Sequence, residues 1–197
     1  MKKQLRVGFD LDGVLLYNPA RIARPIVSFI KRSFFKKKDL KFYSPHTYWQ
    51  KQLWRLFHKS SIFIAPGLDE IKKLIREKKI KAYIVTARYS YLKNDLEKWL
   101  INMKIDKYFS GIFYNQKDEQ PHIFKKRVIE KLNLDIFVED NWDIVNYLNL
   151  KNSQLSRKRS PKIKIFWIYN IFDRNQDFLN KFPNLKSVVK IIERNIL

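Results

Sequence analysis

Four short stretches of this sequence hold side chains whose types and spacing could do chemistry. The first is Asp10-Leu11-Asp12-Gly13-Val14, at the end of the apolar run over residues 5–9. Extended alternation puts Asp10 and Asp12 on one side, and Gly13 lets backbone approach a ligand closely. Thr86-Ala87-Arg88 offers a hydroxyl, backbone N–H groups ahead of an expected helix, and a cation. Lys125-Lys126 opens a helical stretch, and Glu139-Asp140 closes another apolar run with Asp143 just beyond. Brought together, Asp10, Asp12 and Asp140, with Glu139 close behind, would repel one another, and at least one would stay protonated unless a cation sat among them. A hard divalent ion such as Mg²⁺ resolves that conflict, because it favours a few carboxylates completed by water and a substrate phosphate. Thr86, the Ala87 N–H and a lysine would neutralise the remaining phosphoryl oxygens. Such a set suits phosphoryl transfer.

These residues can act together only if the fold gathers them. Hydrophobic periodicity predicts strands over 5–9, 80–85, 111–114, 135–138 and 163–169. Between them run helical patterns: Leu68, Ile71, Leu74 and Ile75 after Pro66-Gly67; Leu92, Leu96, Trp99, Leu100 and Met103; Phe124, Val128, Ile129 and Leu132; then 143–150. Leu185, Val188, Val189 and Ile192 mark a final helix, and 151–162 reads as a polar, basic loop. Strands alternating with helices of this length predict βαβ units, hence an α/β fold with a three-layer, Rossmann-like parallel sheet. In such sheets ligands bind at the carboxyl ends of the strands, where the polar stretches fall. Residues 17–61 differ in kind, being rich in aromatics, Lys and Arg. Two helices are expected there, one on Ile22, Ile26, Phe29, Ile30 and Phe34, the other on Tyr48, Trp49, Leu53, Leu56 and Phe57.

Asp10-Leu11-Asp12-Gly13-Val14, Thr86-Ala87-Arg88, the lysine and Val138-Glu139-Asp140-Asn141-Trp142-Asp143 resemble, in order and in strand-end placement, the four motifs of haloacid dehalogenase-like (HAD) phosphatases. Within that family the Thr-Ala-Arg form and the acidic pair followed by Asp143 look most similar to the 5′-nucleotidase and deoxyribonucleotidase branch. The resemblance implies that Asp10 is a nucleophile forming an aspartyl-phosphate and that Asp12 is the general acid and base. It implies Mg²⁺ held by the Asp10 carboxylate, the Asp12 backbone carbonyl and the Asp140 carboxylate. It further implies phosphate binding by Thr86, Ala87, Arg88 and the lysine, and a small helical cap after the first strand. The domains would then be a catalytic core of 1–16 and 62–197 and a cap of 17–61. The family's usual Asp-Asp or Gly-Asp is Glu139-Asp140 here, so Glu139 and Asp143 are expected behind the ligands, with direct or water-mediated contact of Glu139 to the ion left open. Lys125 has the better spacing to Glu139, with Lys126 and Lys117 as alternatives. Arg88 reads equally as a substrate contact or as a surface salt bridge.

Composition sets the remaining limits. The 197 residues carry 41 Lys+Arg against 19 Asp+Glu and no cysteine, which excludes disulfides, thiolate metal sites and a cysteine nucleophile. Three histidines make a multi-histidine metal site a poor reading, and their positions point to no role for any of them. The N-terminal apolar run is cut by Asp10, too early for a signal peptide or membrane span, so a cytoplasmic enzyme without membrane association is expected. The net charge of +22 is read first as a solvated basic surface that favours small anionic substrates. A small phosphomonoester such as a nucleoside monophosphate is the expected substrate. Two alternatives stand beside it: a phosphatase acting on nucleic-acid end phosphates, and a non-catalytic, basic nucleic-acid-binding module.

Overall fold

The structure, a computed structural model, describes residues 4–17, 40–59, 61, 63–155, 163–170 and 173–196. Its centre is β1 (Leu5–Phe9), flanked in parallel by β4 (Ile80–Tyr89) and β6 (Ile136–Glu139). With β5 (Ile112–Asn115), β7 (Lys164–Ile168) and β8 (Lys181–Phe182), the sheet runs β5-β4-β1-β6-β7-β8, every neighbouring pair parallel. Side-chain alternation splits the core between the two faces. Val7, Phe9, Ala82, Ile84, Ile136, Val138, Phe166 and Ile168 point to one face. There they meet α2 (Leu68–Arg76), α3 (Lys93–Asn102) and α6 (Leu185–Ile196). Tyr83, Val85, Phe137, Ile165 and Trp167 point to the other, against α4 (Pro121–Leu132) and α5 (Trp142–Leu155). Gly8 faces that second layer, where a Cβ would stand 2.9 Å from the Phe137 ring, so a larger residue would push β1 off its neighbour. The three-layer α/β architecture expected from the sequence is therefore present.

Three differences have local causes. The second strand continues past Val85 to Tyr89, with a register shift between Thr86 and Tyr89, and Tyr89 pairs with Asn115. The Tyr89 hydroxyl donates to the Tyr43 carbonyl, which favours extended chain there, so α3 begins only at Lys93 after a single 3₁₀ turn, Ser90–Leu92. Thr86 and Ala87 consequently sit in a strand with a bulge rather than at a helix start. Helix α5 runs on to Leu155 through part of the expected basic loop, because no Gly or Pro interrupts residues 151–155. The sixth strand, β8, is two residues long and leaves no periodic signature.

A separate antiparallel ribbon, β2 (Leu16–Tyr17) with β3 (Phe63–Ile64), lets the chain leave the core and return alongside itself. Between them α1 (Tyr48–Lys59) starts at a reciprocal cap: the Gln50 N–H donates to Thr47 Oγ1, and Gln50 Oε1 accepts from the His46 and Thr47 N–H groups. Arg55 of α1 forms a two-point pair with Asp95 of α3, tying this helix to the core. The helix expected on Ile22 to Phe34 lies outside the described residues, as does the basic run 156–160. No described helix is long and apolar enough to cross a membrane.

Candidate active site

Strand β1 delivers Asp10 at its carboxyl end, where the Asp10 N–H still donates to the Val138 carbonyl of β6 at 2.9 Å. The chain then turns at Gly13, whose φ of +94° is a left-handed conformation, with a virtual Cβ 3.0 Å from Asp140 Oδ1 and closer still to the rest of that carboxylate. At the end of β6, Glu139 and Asp140 face the same space, and the Trp167 indole holds the Asp140 carbonyl by a 3.2 Å hydrogen bond. Asp10, Glu139 and Asp140 are all buried, and each offers one oxygen lying within 4.8 Å of the other two.

Helix α4 supplies the counter-charge. Pro121 occupies its first turn, a position that needs no N–H donor, and Lys125 lies one turn further on the buried face. The Lys125 ammonium is 3.0 Å from Asp10 Oδ2 and donates to Glu139 Oε2 at 2.6 Å. The other Glu139 oxygen accepts the Asn141 N–H at 3.1 Å. Lys126 instead pairs with Glu130 along the helix surface, and Lys117 is exposed in a turn. Of the three lysines weighed from sequence, it is Lys125 that faces Asp10.

Two of these buried carboxylates, Asp10 and Glu139, thus share one ammonium. Burial pushes Asp10 up to about 6; Lys125 opposes the rise, while Asp140 and Asp12 add to it. Burial likewise pushes Glu139 up to about 8 against the pull of Lys125. Burial disfavours the Lys125 ammonium, yet the attraction of Asp10 and Glu139 outweighs it and holds its pKa above the usual lysine range. The site is short of positive charge, and all its anionic donors are oxygens. That donor set fits a hard divalent cation of the Mg²⁺ kind.

The Asp12 carboxylate stands outside this set and faces Arg88. Arg88 donates from Nε to Asp12 Oδ2 at 2.9 Å and from Nη2 to Oδ1 at 2.8 Å. The Ser61 hydroxyl donates to Oδ1 at 2.8 Å, and His58 Nδ1 lies 3.4 Å from Oδ2. Burial alone would raise the Asp12 pKa, but Arg88, helped by His58, holds it well below the usual carboxylate range. Arg88 is itself only 5% exposed, so its ion pair is internal and the surface salt bridge weighed from sequence is corrected. Two contributors, His58 and Ser61, carried no signal in the sequence: an isolated histidine and serine become neighbours of Asp12 only through the tertiary fold.

Thr86 is buried, and its Oγ1 accepts the Arg88 N–H at a long 3.4 Å. Asp143 sits half-buried in the first turn of α5, where its N–H is capped by Asn141 Oδ1 at 3.0 Å, apart from the three-acid cluster. His46 is exposed ahead of α1, and His122 is packed between the rings of Phe42 and Tyr147.

No family model and no curated protein matches this sequence. Solved structures do match. A HAD-superfamily hydrolase from Ehrlichia chaffeensis is 15% identical, with all of both chains covered and a TM-score of 0.54. CbbY from Rhodobacter sphaeroides, solved in complex with phosphate, is 9% identical over 94% of this chain and 96% of its own, at 0.55. A mutant of CbbY in complex with xylulose-(1,5)bisphosphate is similar at 10% identity and the same TM-score, 0.55, over the same shares. At such identities the likeness is one of fold. The architecture is an α/β, Rossmann-like fold similar to that of these proteins, and Asp10, Glu139 and Asp140 occupy the strand ends where ligands bind in sheets of this kind.

Proposed function

We propose that this chain is a Mg²⁺-dependent phosphatase that hydrolyses a small phosphomonoester through an aspartyl-phosphate on Asp10. The observation that carries this reading is Lys125, buried between Asp10 and Glu139 beside Asp140, at the end of the central strand. The fold it shares with CbbY, a protein that binds phosphate and a sugar bisphosphate, supports the reading further.

Asp10 and Asp140 would hold the ion by their carboxylates and Asp12 by its backbone carbonyl, with Glu139 steadying them through Lys125. Bound there, Mg²⁺ screens the Asp10 carboxylate from an anionic phosphoryl group. Asp10 attacks phosphorus as the bond to the leaving oxygen breaks; Asp12, which Arg88 holds as the anion in this structure, would take up a proton with the substrate and give it to that oxygen. Asp12 then takes a proton from the water that attacks the aspartyl-phosphate, returning Asp10 and releasing phosphate. Lys125, Thr86 and the Ala87 N–H balance charge on the phosphoryl oxygens, while residues 17–61 form a cap that selects the substrate. A nucleoside monophosphate fits the resemblance to the nucleotidase branch.

A second reading, action on nucleic-acid end phosphates, is favoured by one observation. The excess of 41 basic over 19 acidic residues understates the outer charge, since among the described residues the four acids Asp10, Asp12, Glu139 and Asp140 are buried against the two bases Lys125 and Arg88.

The test is phosphate release from a panel of nucleotides, sugar phosphates and 3′- or 5′-phosphorylated oligonucleotides, with and without Mg²⁺. Asp10→Asn should abolish turnover with the circular dichroism spectrum unchanged. No phosphate release by the wild type from any substrate would overturn the catalytic reading in favour of a basic binding module.

A further inference from the structure

Trp167 is wholly buried and takes part in no step of the reaction outlined above, yet it reaches the acid cluster. It lies on β7 in register with Glu139 of β6, the residue before Asp140. Its indole Nε1–H donates to the Asp140 carbonyl at 3.2 Å. That bond satisfies a donor whose burial would otherwise be costly. It also fixes the peptide that follows Asp140, where the chain leaves the sheet for α5.

The indole is itself held by its neighbours. The Trp167 backbone N–H donates to the Asn180 carbonyl, just ahead of β8, at 2.9 Å. The ring packs on Trp142 at a centroid distance of 4.6 Å and on Phe178 and Tyr169 at 6.1 Å each. A ring so enclosed has little room to turn, so the core sets where its N–H points. Gly13 bounds the Asp140 carboxylate from the turn after β1. Lys125 anchors Asp10 and Glu139 through their carboxylates, and Trp167 anchors Asp140 through its carbonyl. Both anchors oppose the mutual repulsion of three acids whose oxygens lie within 4.8 Å of one another.

We infer that Trp167 is a positioning residue that presents the Asp140 carboxylate to a divalent cation by pinning the main chain beside it. This rests on the reading of Asp140 as a ligand of Mg²⁺ in a phosphatase. Ligand distances in such sites hold to about 0.2 Å, so a carboxylate whose backbone can drift binds the ion less well. Groups that orient metal ligands without touching the ion are typically worth about 10- to 100-fold in affinity. Loss of the indole N–H removes no ligand and changes no charge, so its effect on the ion passes through Asp140.

The experiment measures binding of Mn²⁺, which takes the same oxygen donors as Mg²⁺, from the electron paramagnetic resonance signal of the free ion. Trp167→Phe keeps a buried ring and removes the N–H, and is expected to weaken Mn²⁺ binding by about 10-fold or more. Phe178→Leu loosens the same aromatic cluster but keeps the N–H. It is expected to lower Tm while changing Mn²⁺ binding by less than about 2-fold. If Trp167→Phe does not fold, replacing Trp167 by benzothienylalanine, which has sulfur in place of the N–H and the same two-ring shape, carries the same expectation. Binding unchanged by loss of the N–H, or weakened equally in Phe178→Leu, would overturn the inference while leaving the metal site intact. A wild-type chain that binds no Mn²⁺, or an Asp140→Ala variant that binds it equally well, would remove the metal reading first, and this inference with it.

Discussion

Gly13 and Asp140 are in mutual contact across the site: a Cβ at position 13 would overlap the Asp140 carboxylate, and the positive φ of Gly13 disfavours any L side chain. The turn after β1 can therefore approach the end of β6 only with glycine at this point. Gly13→Ala is expected to lower both stability, by about 1–3 kcal/mol, and phosphate release by at least about 10-fold, because Asp140 must move. Urea denaturation and a phosphate-release assay check the two effects, and an active, equally stable variant would contradict the proposed place of Asp140.

Lys125 balances Asp10 and Glu139 from within the core. Lys125→Met keeps most of the side-chain volume but leaves buried carboxylates without their cation. A loss of about 3 kcal/mol is expected at neutral pH, with less at acidic pH where the carboxyls can protonate. Lys126→Met, which removes only a surface pair with Glu130, should cost under about 1 kcal/mol. Equal losses in the two variants would contradict the buried role of Lys125.

The raised carboxyls set a pH dependence. Asp10, moved from 3.8 to about 6, and Glu139, moved from 4.5 to about 8, bind protons more tightly in the folded than in the unfolded chain. Their contribution to stability is present below their ordinary pKa values and is lost as pH rises towards about 8. Asp12 runs the other way: its pKa is lowered, so its contribution is present above its ordinary value and is lost as pH falls through the folded one. Melting of the metal-free protein should show Tm declining from about pH 5 to about pH 8, and the gain from added Mg²⁺ should be larger at the higher pH. A gain independent of pH would mean that Mg²⁺ does not engage these acids.

The basic exterior separates the two substrate readings. Turnover of a nucleoside monophosphate should depend weakly on salt, whereas an oligonucleotide held by several phosphates should lose affinity steeply between about 50 and about 200 mM salt. A kcat/KM for the nucleotide that exceeds that for a 3′- or 5′-phosphorylated oligonucleotide at about 200 mM salt is expected. The reverse order would assign the site to nucleic-acid ends.

Much of this architecture was legible because its determinants are local. Val7 and Phe9 about Gly8, or Phe166 and Ile168 about Trp167, alternate across one strand, and that two-residue period marks both the sheet and the side chains at its ends. Asp10, Asp12, Thr86, Glu139 and Asp140 were recognisable as polar residues at the ends of such runs. The short β8 and the extension of β4 to Tyr89 were not, since a two-residue strand has no period and Tyr89 is drawn into the sheet by Asn115 and Tyr43.

By itself the sequence determined the sheet, the order of its strands along the chain, and the acidic and hydroxyl groups at their tips, because burial of alternating apolar side chains leaves each strand only one way to face. The tertiary structure decided which of three lysines meets Asp10, since the phase of α4 turns Lys125 inward and Lys126 outward. It also decided that Asp12 is gripped by Ser61 and Arg88, which lie 49 and 76 residues away along the chain. Contacts of that range depend on where segments distant in the chain meet, and that is set by packing among distant elements, on which no local pattern bears.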